Sequence, residues 1–359
     1  MRPTLHEIAA AVDLSVSTVS RALNGHPAIS EASAARIRQV AEELRYRRRK
    51  SQVRLDPAQV LAGRKLAMVS LGVDRSMLAL PVVATAINGV EAALSEAGAD
   101  FRLIHVPDPA DVPASLRNLP LAGVILLGPL QGRLLADTRS KLLHRLQSLP
   151  AVWLNGRPEG CRGDVVVANE TTIGAAAADY LVTHGHRRLA IVNPKPDHVL
   201  FTRREDGFIA RAKRLGAEVS CFCDAPSEGW HLPLTPPLNV ETVQRLVDRV
   251  LASKPRPTAI FAVADSVAVL VYRALAVRKV EVAAEISVIS ANNDEAMIAA
   301  LHPHLTTFDI HAEQLGRIAV RHLATRLLAP GHEIDVEVTV PATLLERQSV
   351  ASLTRRAVP

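Results

Sequence analysis

Aromatic residues make up only 3% of this 359-residue chain, and it holds just three cysteines, Cys161, Cys221 and Cys223. So few rings exclude an extended aromatic platform of the kind that stacks on sugars. So few thiols exclude a disulfide framework and fit a reducing compartment. Cys221 and Cys223 alternate along a strand-like segment and share one face, but no second Cys/His pair follows at metal-ligand spacing, so a structural role is expected. No stretch approaches the ~20 apolar residues needed to span a bilayer, and no signal-like segment opens the chain, so a cytoplasmic protein is expected. The sequence also lacks G-x-S-x-G, a phosphate-cradling glycine loop and a metal-ligand pair, so neither catalysis nor a cofactor is expected.

What is present starts with uneven charge. Of a net +6, residues 1–50 carry nine Lys/Arg against five Asp/Glu, leaving +2 for the other 309 positions. A basic N-terminus makes nucleic acid its natural partner. Within it, Leu5, Ile8, Ala9 and Val12 recur at i, i+3, i+4 and i+7, the spacing of one buried helical face. Asp13-Leu14 breaks the pattern, and Ser15 is placed to cap a second helix. There Val19, Ala22 and Leu23 form the apolar stripe, and Val16, Ser17, Ser20 and Arg21 face outward. Short side chains at an exposed leading turn let a helix approach base edges in the major groove, and Arg21 offers a fork to guanine or a charge to phosphate. A third helix is predicted after Ser30, with Ile37, Val40, Ala41 and Leu44 inward, followed by the basic run Arg45 to Lys50. The competing reading is a plain three-helix packing unit with a solvated outer face.

The run TLHEIAAAVDLSVSTVSRALNGHPAISEASAARIRQVAEELRY resembles the headpiece of the LacI/GalR family of bacterial transcription regulators. It departs at Asp13, where that family carries glycine in the turn; Asp tolerates left-handed backbone better than most residues. The resemblance implies an operator-contacting set of Thr4, Leu5, Ser15, Val16, Ser17, Thr18, Ser20, Arg21, Asn24, His26, Tyr46 and Arg47. It also implies a hinge helix that folds on operator DNA and wedges a leucine into the minor groove, a role that falls on Leu61. Here the linker departs from the family pattern, so an incidental leucine on a flexible tether is the alternative. The expected organisation is a headpiece at 1–46, a basic linker with a possible hinge helix at 47–64, and a two-lobed effector and dimerisation domain at 65–359.

From Lys65 onward, apolar strand candidates alternate with amphipathic helices. That grammar predicts a small all-α headpiece followed by α/β, with two doubly wound parallel-sheet lobes and ligands at the carboxyl ends of the strands between them. The predicted helices include Val83–Ala97, Arg133–Leu149 and Arg204–Leu215. His184-Gly185-His186 reads as a helix stop, with Gly185 left-handed, rather than a metal site. The resemblance extends, more loosely, to the family's periplasmic-binding-protein-like domain through Asn88-Gly89-Val90-Glu91, Arg204-x-x-Gly207-Phe208, Phe261–Asp265 and Leu305-Thr306-Thr307.

That likeness places the effector-binding set at Arg204, Trp230, Asp265 and Asn292, with Arg203 leaving the register of the arginine ambiguous. Arg204 and Asp265 have a blander reading as a structural ion pair and a helix cap, and Trp230 as a packed loop residue. The function implied is a homodimeric, sequence-specific regulator, a repressor of a palindromic operator, controlled by a sugar or related polar metabolite. The alternative is a cytoplasmic small-molecule-binding protein with no DNA-regulatory role.

Overall fold

The computed structural model describes residues 3–23, 29–44, 46, 56–113, 116, 119–224, 230–236, 240–329 and 334–353. The chain divides into two compact units, Met1–Asp56 and Pro57–Pro359.

The first unit contains α1 (Leu5–Val12), α2 (Val16–Leu23) and α3 (Glu31–Glu43) around a core of Ile8, Ala9, Val12, Val19, Ala22, Ala34, Ile37 and Ala41. Thr4 and Glu7 start α1 with a capping box, each bonding the other's backbone N–H. Asp13 ends it in the left-handed conformation, φ 54° and ψ 47°, so the turn survives without the family's glycine. The predicted inward face of α3 is right except at its end: Leu44 is the C-cap residue and is exposed.

The second unit begins with helix α4 (Pro57–Leu61). Its strands are β1 (Lys65–Leu71), β2 (Asp100–Val106), β3 (Gly123–Leu127), β4 (Ala151–Leu154), β5 (Asp164–Ala168), β6 (Arg188–Asn193), β7 (Glu218–Cys223), β8 (Ala259–Ala262), β9 (Ser287–Asn292), β10 (Thr306–Asp309), β11 (Glu337–Val340) and β12 (Thr343–Leu345). They form two six-stranded sheets, ordered β11-β5-β4-β3-β1-β2 and β12-β10-β9-β8-β6-β7. All pairings are parallel except β12 with β10. The helices are α5 (Arg75–Leu78), α6 (Pro81–Glu96), α7 (Lys141–Gln147), α8 (Glu170–Thr183), α9 (Val199–Arg214), α10 (Val240–Ala252), α11 (Asp265–Val277), α12 (Glu295–Ile298) and α13 (Ala312–Leu328). None among the described residues is long and apolar enough to cross a membrane.

The chain crosses between the sheets after β5, again after β10, where α13 returns to pack on α6, and once more from β11 to β12. Each lobe is therefore built from separate parts of the sequence. The centre strands are buried along almost their whole length, as parallel sheets covered on both faces require. The predicted helix Arg133–Leu149 is broken: Arg139 is left-handed at φ 49°, and Ser140 restarts the helix by accepting from Leu143 N while donating to the Pro109 carbonyl. The His184-Gly185-His186 helix stop is as read, with Gly185 at φ 90° and Arg187 donating to the Val182 carbonyl at 2.8 Å.

Leu61 overturns an expectation. It is fully buried, and α4 lies against α13 within the core of the second unit. An apolar side chain with a packed site does not leave it for a groove without losing that burial, so the wedge assignment and a linker running to residue 64 are both corrected. Leu61→Ala is expected to cost about 2–5 kcal/mol of stability in chemical denaturation. An unchanged midpoint would contradict the packing role.

Candidate functional site

Two surfaces carry chemistry, one in each unit. In the headpiece, Ser15 Oγ accepts from Thr18 N at 3.1 Å and lies 2.8 Å from Thr18 Oγ1 and 3.0 Å from Ser17 Oγ. This hydroxyl cluster caps α2 and presents its first turn. Ser17 and Arg21 are exposed, whereas Val16, Thr18 and Ser20 are half-buried. Val16, Leu5 and Tyr46 pack against the headpiece core. Thr4 is exposed at the start of α1. The free outward face is thus narrower than the sequence implied, led by Ser15, Ser17 and Arg21. Asn24, His26 and Arg47 lie outside the described residues.

In the second unit, a partly open cavity of about 130 Å³ lies between the lobes. Its floor is formed at the carboxyl ends of β3, β4, β6 and β9, where Gln131, Asn155, Lys195, His198, Arg204, Asn292 and Asp294 meet Met77, Leu80, Leu130, Phe201 and Met297. The lobes are latched by backbone: Val199 N donates to Leu130 O at 2.9 Å, Gly132 N to Asp197 O at 3.0 Å, and Leu234 N to Gly72 O at 2.9 Å. Arg203 adds an ion pair to Glu337 at 2.8 Å.

Arg204 is 2% exposed and its fork is heavily committed. Nε donates to Glu170, one terminal nitrogen to the Val263 carbonyl at 2.7 Å, and the other to Asn292 Oδ1 at 2.9 Å. It faces the cavity, yet its main partners are protein, which is the structural ion pair of the blander reading. Asn292 lines the cavity beside it, with φ 123° and its amide 3.5 Å from Asp294. The register question is answered: Arg203 points to β11 and Arg204 to the cavity.

Asp265 does not reach the cavity. It opens α11 fully buried, accepting from Ser290, from Thr307 Oγ1 at 2.7 Å and from Asp294 N at 2.8 Å. Its carboxylate ties α11 to β9, β10 and the turn before α12, and burial raises its pKa against the lowering by those hydrogen bonds. Trp230 is corrected likewise: it is absent from the lining and half-buried against the main core.

The sequence reading missed Gln131, Asn155, Lys195 and His198. Among the described residues, Gln131 Oε1, Asn155 Oδ1 and His198 Nδ1 are buried with no hydrogen-bond partner, which is costly unless a ligand or water supplies one. Burial holds His198 well below the usual histidine range, helped by the charges of Lys195 and Arg204. Burial alone lowers Lys195 to about 8, and pushes Asp294 up to about 6 with help from Asp265. The available signal was position: each missed residue follows closely on the end of a parallel strand, or opens the helix after one.

Comparison with known proteins agrees with this architecture. Residues 4–49 match the lacI family of bacterial regulatory proteins, and residues 178–350 match the periplasmic binding protein-like domain. The chain is 25% identical over 335 residues to the ribose operon repressor of Escherichia coli strain K12, covering 91% of this chain and 94% of that one. It is 27% identical over 354 residues to the HTH-type transcriptional repressor MelR of Bacillus subtilis strain 168, covering 96% of each. Among solved structures it superposes on a transcriptional regulator CelR–cellobiose complex with TM-score 0.64 and 23% identity, over 97% of this chain and 100% of that one. With the headpiece, the two-lobed unit and both family matches in agreement, the chain belongs to the LacI family of bacterial transcription regulators.

Proposed function

We propose that this regulator is a homodimeric repressor that binds a palindromic operator in the cytoplasm and is switched by a small polar metabolite held between its lobes. The observation that carries the reading is the interlobe cavity, whose buried polar atoms on Gln131, Asn155 and His198 lack partners among the described residues. Two relatives bear repressor names, and a solved structure of the same fold holds cellobiose, which supports both the sign of regulation and the effector class.

At the operator, the leading turn of α2 enters the major groove. Ser15 and Ser17 allow close approach, and Arg21 reads guanine or holds phosphate. Thr4, exposed at the capped start of α1, contacts the DNA backbone, and Asn24, His26, Tyr46 and Arg47 complete the expected contact set. A single headpiece buries little DNA surface, so two copies related by two-fold symmetry supply useful affinity. In the effector unit, ligand contacts from Gln131 and Asn155 on one lobe and Lys195, His198, Arg204 and Asn292 on the other bias the lobes between two arrangements. Coupling to DNA is then reciprocal: the effector changes operator affinity by the same factor as the operator changes effector affinity. No catalytic step is assigned to these residues.

Arg21→Ala tests the operator side. Affinity for a selected operator is expected to fall by about 10-fold or more per headpiece, since a bidentate base contact contributes about 1–3 kcal/mol. The slope of affinity against salt should change little if Arg21 reads a base, and should lessen if it holds phosphate. Undiminished affinity would remove Arg21 from the interface.

A further inference from the structure

Covalent crossovers join the two lobes at one edge, and a non-covalent contact joins them at the other. The crossovers leave β5, β10 and β11, the last of them ending at β12. Those strands stand together at one edge of each sheet, β11-β5 in the first and β12-β10 in the second. Residues 230–236 lie between β7 and α10, and α10 packs on β6 and β7, so this segment starts and ends in the lobe of the second sheet. Yet it pairs with the turn that follows β1 in the lobe of the first. Leu234 N donates to Gly72 O at 2.9 Å and Asp74 N donates to Leu234 O at 2.8 Å, a parallel bridge between Val73 and Leu234, both buried. Leu232 packs on the apolar cluster of the first lobe that holds Leu71 and Leu135, its methyl groups 3.2 Å from where a Cβ on Gly72 would stand.

We infer that residues 230–236 form a detachable clasp: the lobes turn about the crossovers, and the cleft opens only when Leu232 and Leu234 come away from the first lobe. Leverage decides which contact moves most. β1 stands three strands from β5 and β7 stands four from β10, which at strand spacing gives the clasp arms of ~14 Å on one sheet and ~19 Å on the other. The bonds of Val199 to Leu130 and of Gly132 to Asp197 follow β3 and β6, which stand nearer the crossover edge. A rotation that barely stretches those bonds therefore carries Asp74 and Leu234 past hydrogen-bond reach. The clasp resists it through its backbone bonds and through the burial of Leu234, which opening would return to water. Pro233 and Pro236 restrict the chain on either side of Leu234, so less freedom is lost when it docks. Val73 lines the cavity, which sets the clasp at the cavity wall. The inference stands on contacts between the lobes and holds whatever the cavity receives.

Hydrogen exchange of the full-length protein, read by mass spectrometry on short peptides, tests this with two variants. Leu234→Ala weakens the clasp. It is expected to speed exchange at Asp74 by about tenfold or more, and to speed Gly132 and Val199 as well, while the amides of β3 and β8 keep their rates. Val73→Cys with Leu234→Cys fastens it, in a chain that also carries Cys161→Ala, Cys221→Ala and Cys223→Ala. Bridge partners on neighbouring strands stand ~4.8 Å apart, within disulfide range at Cα, so oxidised glutathione should join them. The joined protein is expected to exchange Gly132 and Val199 about tenfold more slowly than the same protein after reduction. That difference needs no ligand, and it decides the matter even where Leu234→Ala loosens the whole unit. Failure of the cross-link to form would remove the contact itself. Exchange at Gly132 and Val199 indifferent to the cross-link would mean that the cleft opens without the clasp, or does not open by turning, and either overturns the inference.

Discussion

Arg204→Leu is expected to destabilise the second unit by about 3–5 kcal/mol, because it strands the Glu170 carboxylate in the interior. Arg204 and Glu170 are 2% and 0% exposed at their side chains, so neither is solvated by water once its partner is gone. Among the described residues Glu170 Oε1 already lacks a hydrogen-bond partner, which leaves the remaining attraction to Arg204 as the carboxylate's main compensation. The double variant Arg204→Leu with Glu170→Leu removes both charges and should recover most of the loss. Urea denaturation of the three proteins reads this directly. If the double variant were as unstable as the single one, the loss would lie in packing and in the bonds to Val263 and Asn292 rather than in the buried charge. The same variants separate structure from recognition: an effector still bound by the stable double variant would mean that Arg204 organises the cavity without holding the ligand.

Gly174→Val is expected to cost about 3 kcal/mol or more and to displace Arg204 as well. Helices α8 and α9 touch through bare backbone: a Cβ on Gly174 would sit 1.9 Å from the Arg204 carbonyl oxygen, and one on Gly207 would sit 2.0 Å from the Thr171 carbonyl oxygen. Neither neighbour is a flexible side-chain tip, so the helices must separate, and overpacking of this kind in a close-packed interior is costly. The facing lobe repeats the device with α6 and α13, where a Cβ on Gly89 meets Glu313 O at 2.0 Å and one on Gly316 meets Ala86 O at 2.1 Å. Gly98→Ala is the contrast. Its left-handed φ of 62° opposes alanine, but nothing lies within 4 Å, so about 1 kcal/mol is expected there. Thermal melts that ranked Gly98→Ala with Gly174→Val would contradict the close-approach account.

Much of this was legible in the sequence, for reasons that can be named. The headpiece obeys local rules throughout, from the i, i+3, i+4, i+7 face of α1 to the serine caps of α2 and α3 and the left-handed Asp13. Strands β3 and β4 were bounded correctly because short apolar runs between turns are what a doubly covered parallel strand requires. Short β12 was not seen, since an antiparallel edge segment of Thr343–Leu345 has no strong periodicity of its own. The glycine fragments Asn88-Gly89 and Arg204-x-x-Gly207 carried the likeness without showing their purpose, which is helix contact across residues far apart in sequence.

The cavity was less legible because burial and pairing are set by tertiary structure. Arg204 and Asn292 both line it, but the partner of Arg204 lies 34 positions away at Glu170. Asp265 has the sequence position of a pocket acid, and only the packing of β9 and β10 turns it inward to Ser290 and Thr307. Leu61 suited a wedge until α4 was seen to pack on α13. Lys195, His198, Gln131 and Asn155 belong to segments near strand ends with no motif, so the rule that ligands bind at carboxyl ends was the available pointer.

The central claim is that one chain reads DNA through α2 and is governed by a small molecule held between its lobes. In vitro selection of random duplex DNA by the full-length protein at near-physiological salt, run with and without a polar-metabolite extract, tests it most directly. The account predicts an enriched inverted repeat whose recovery changes when the extract is present, and which is lost in Arg21→Ala. No enriched sequence under either condition, or an enriched site indifferent to the extract and to Arg21→Ala, would contradict it.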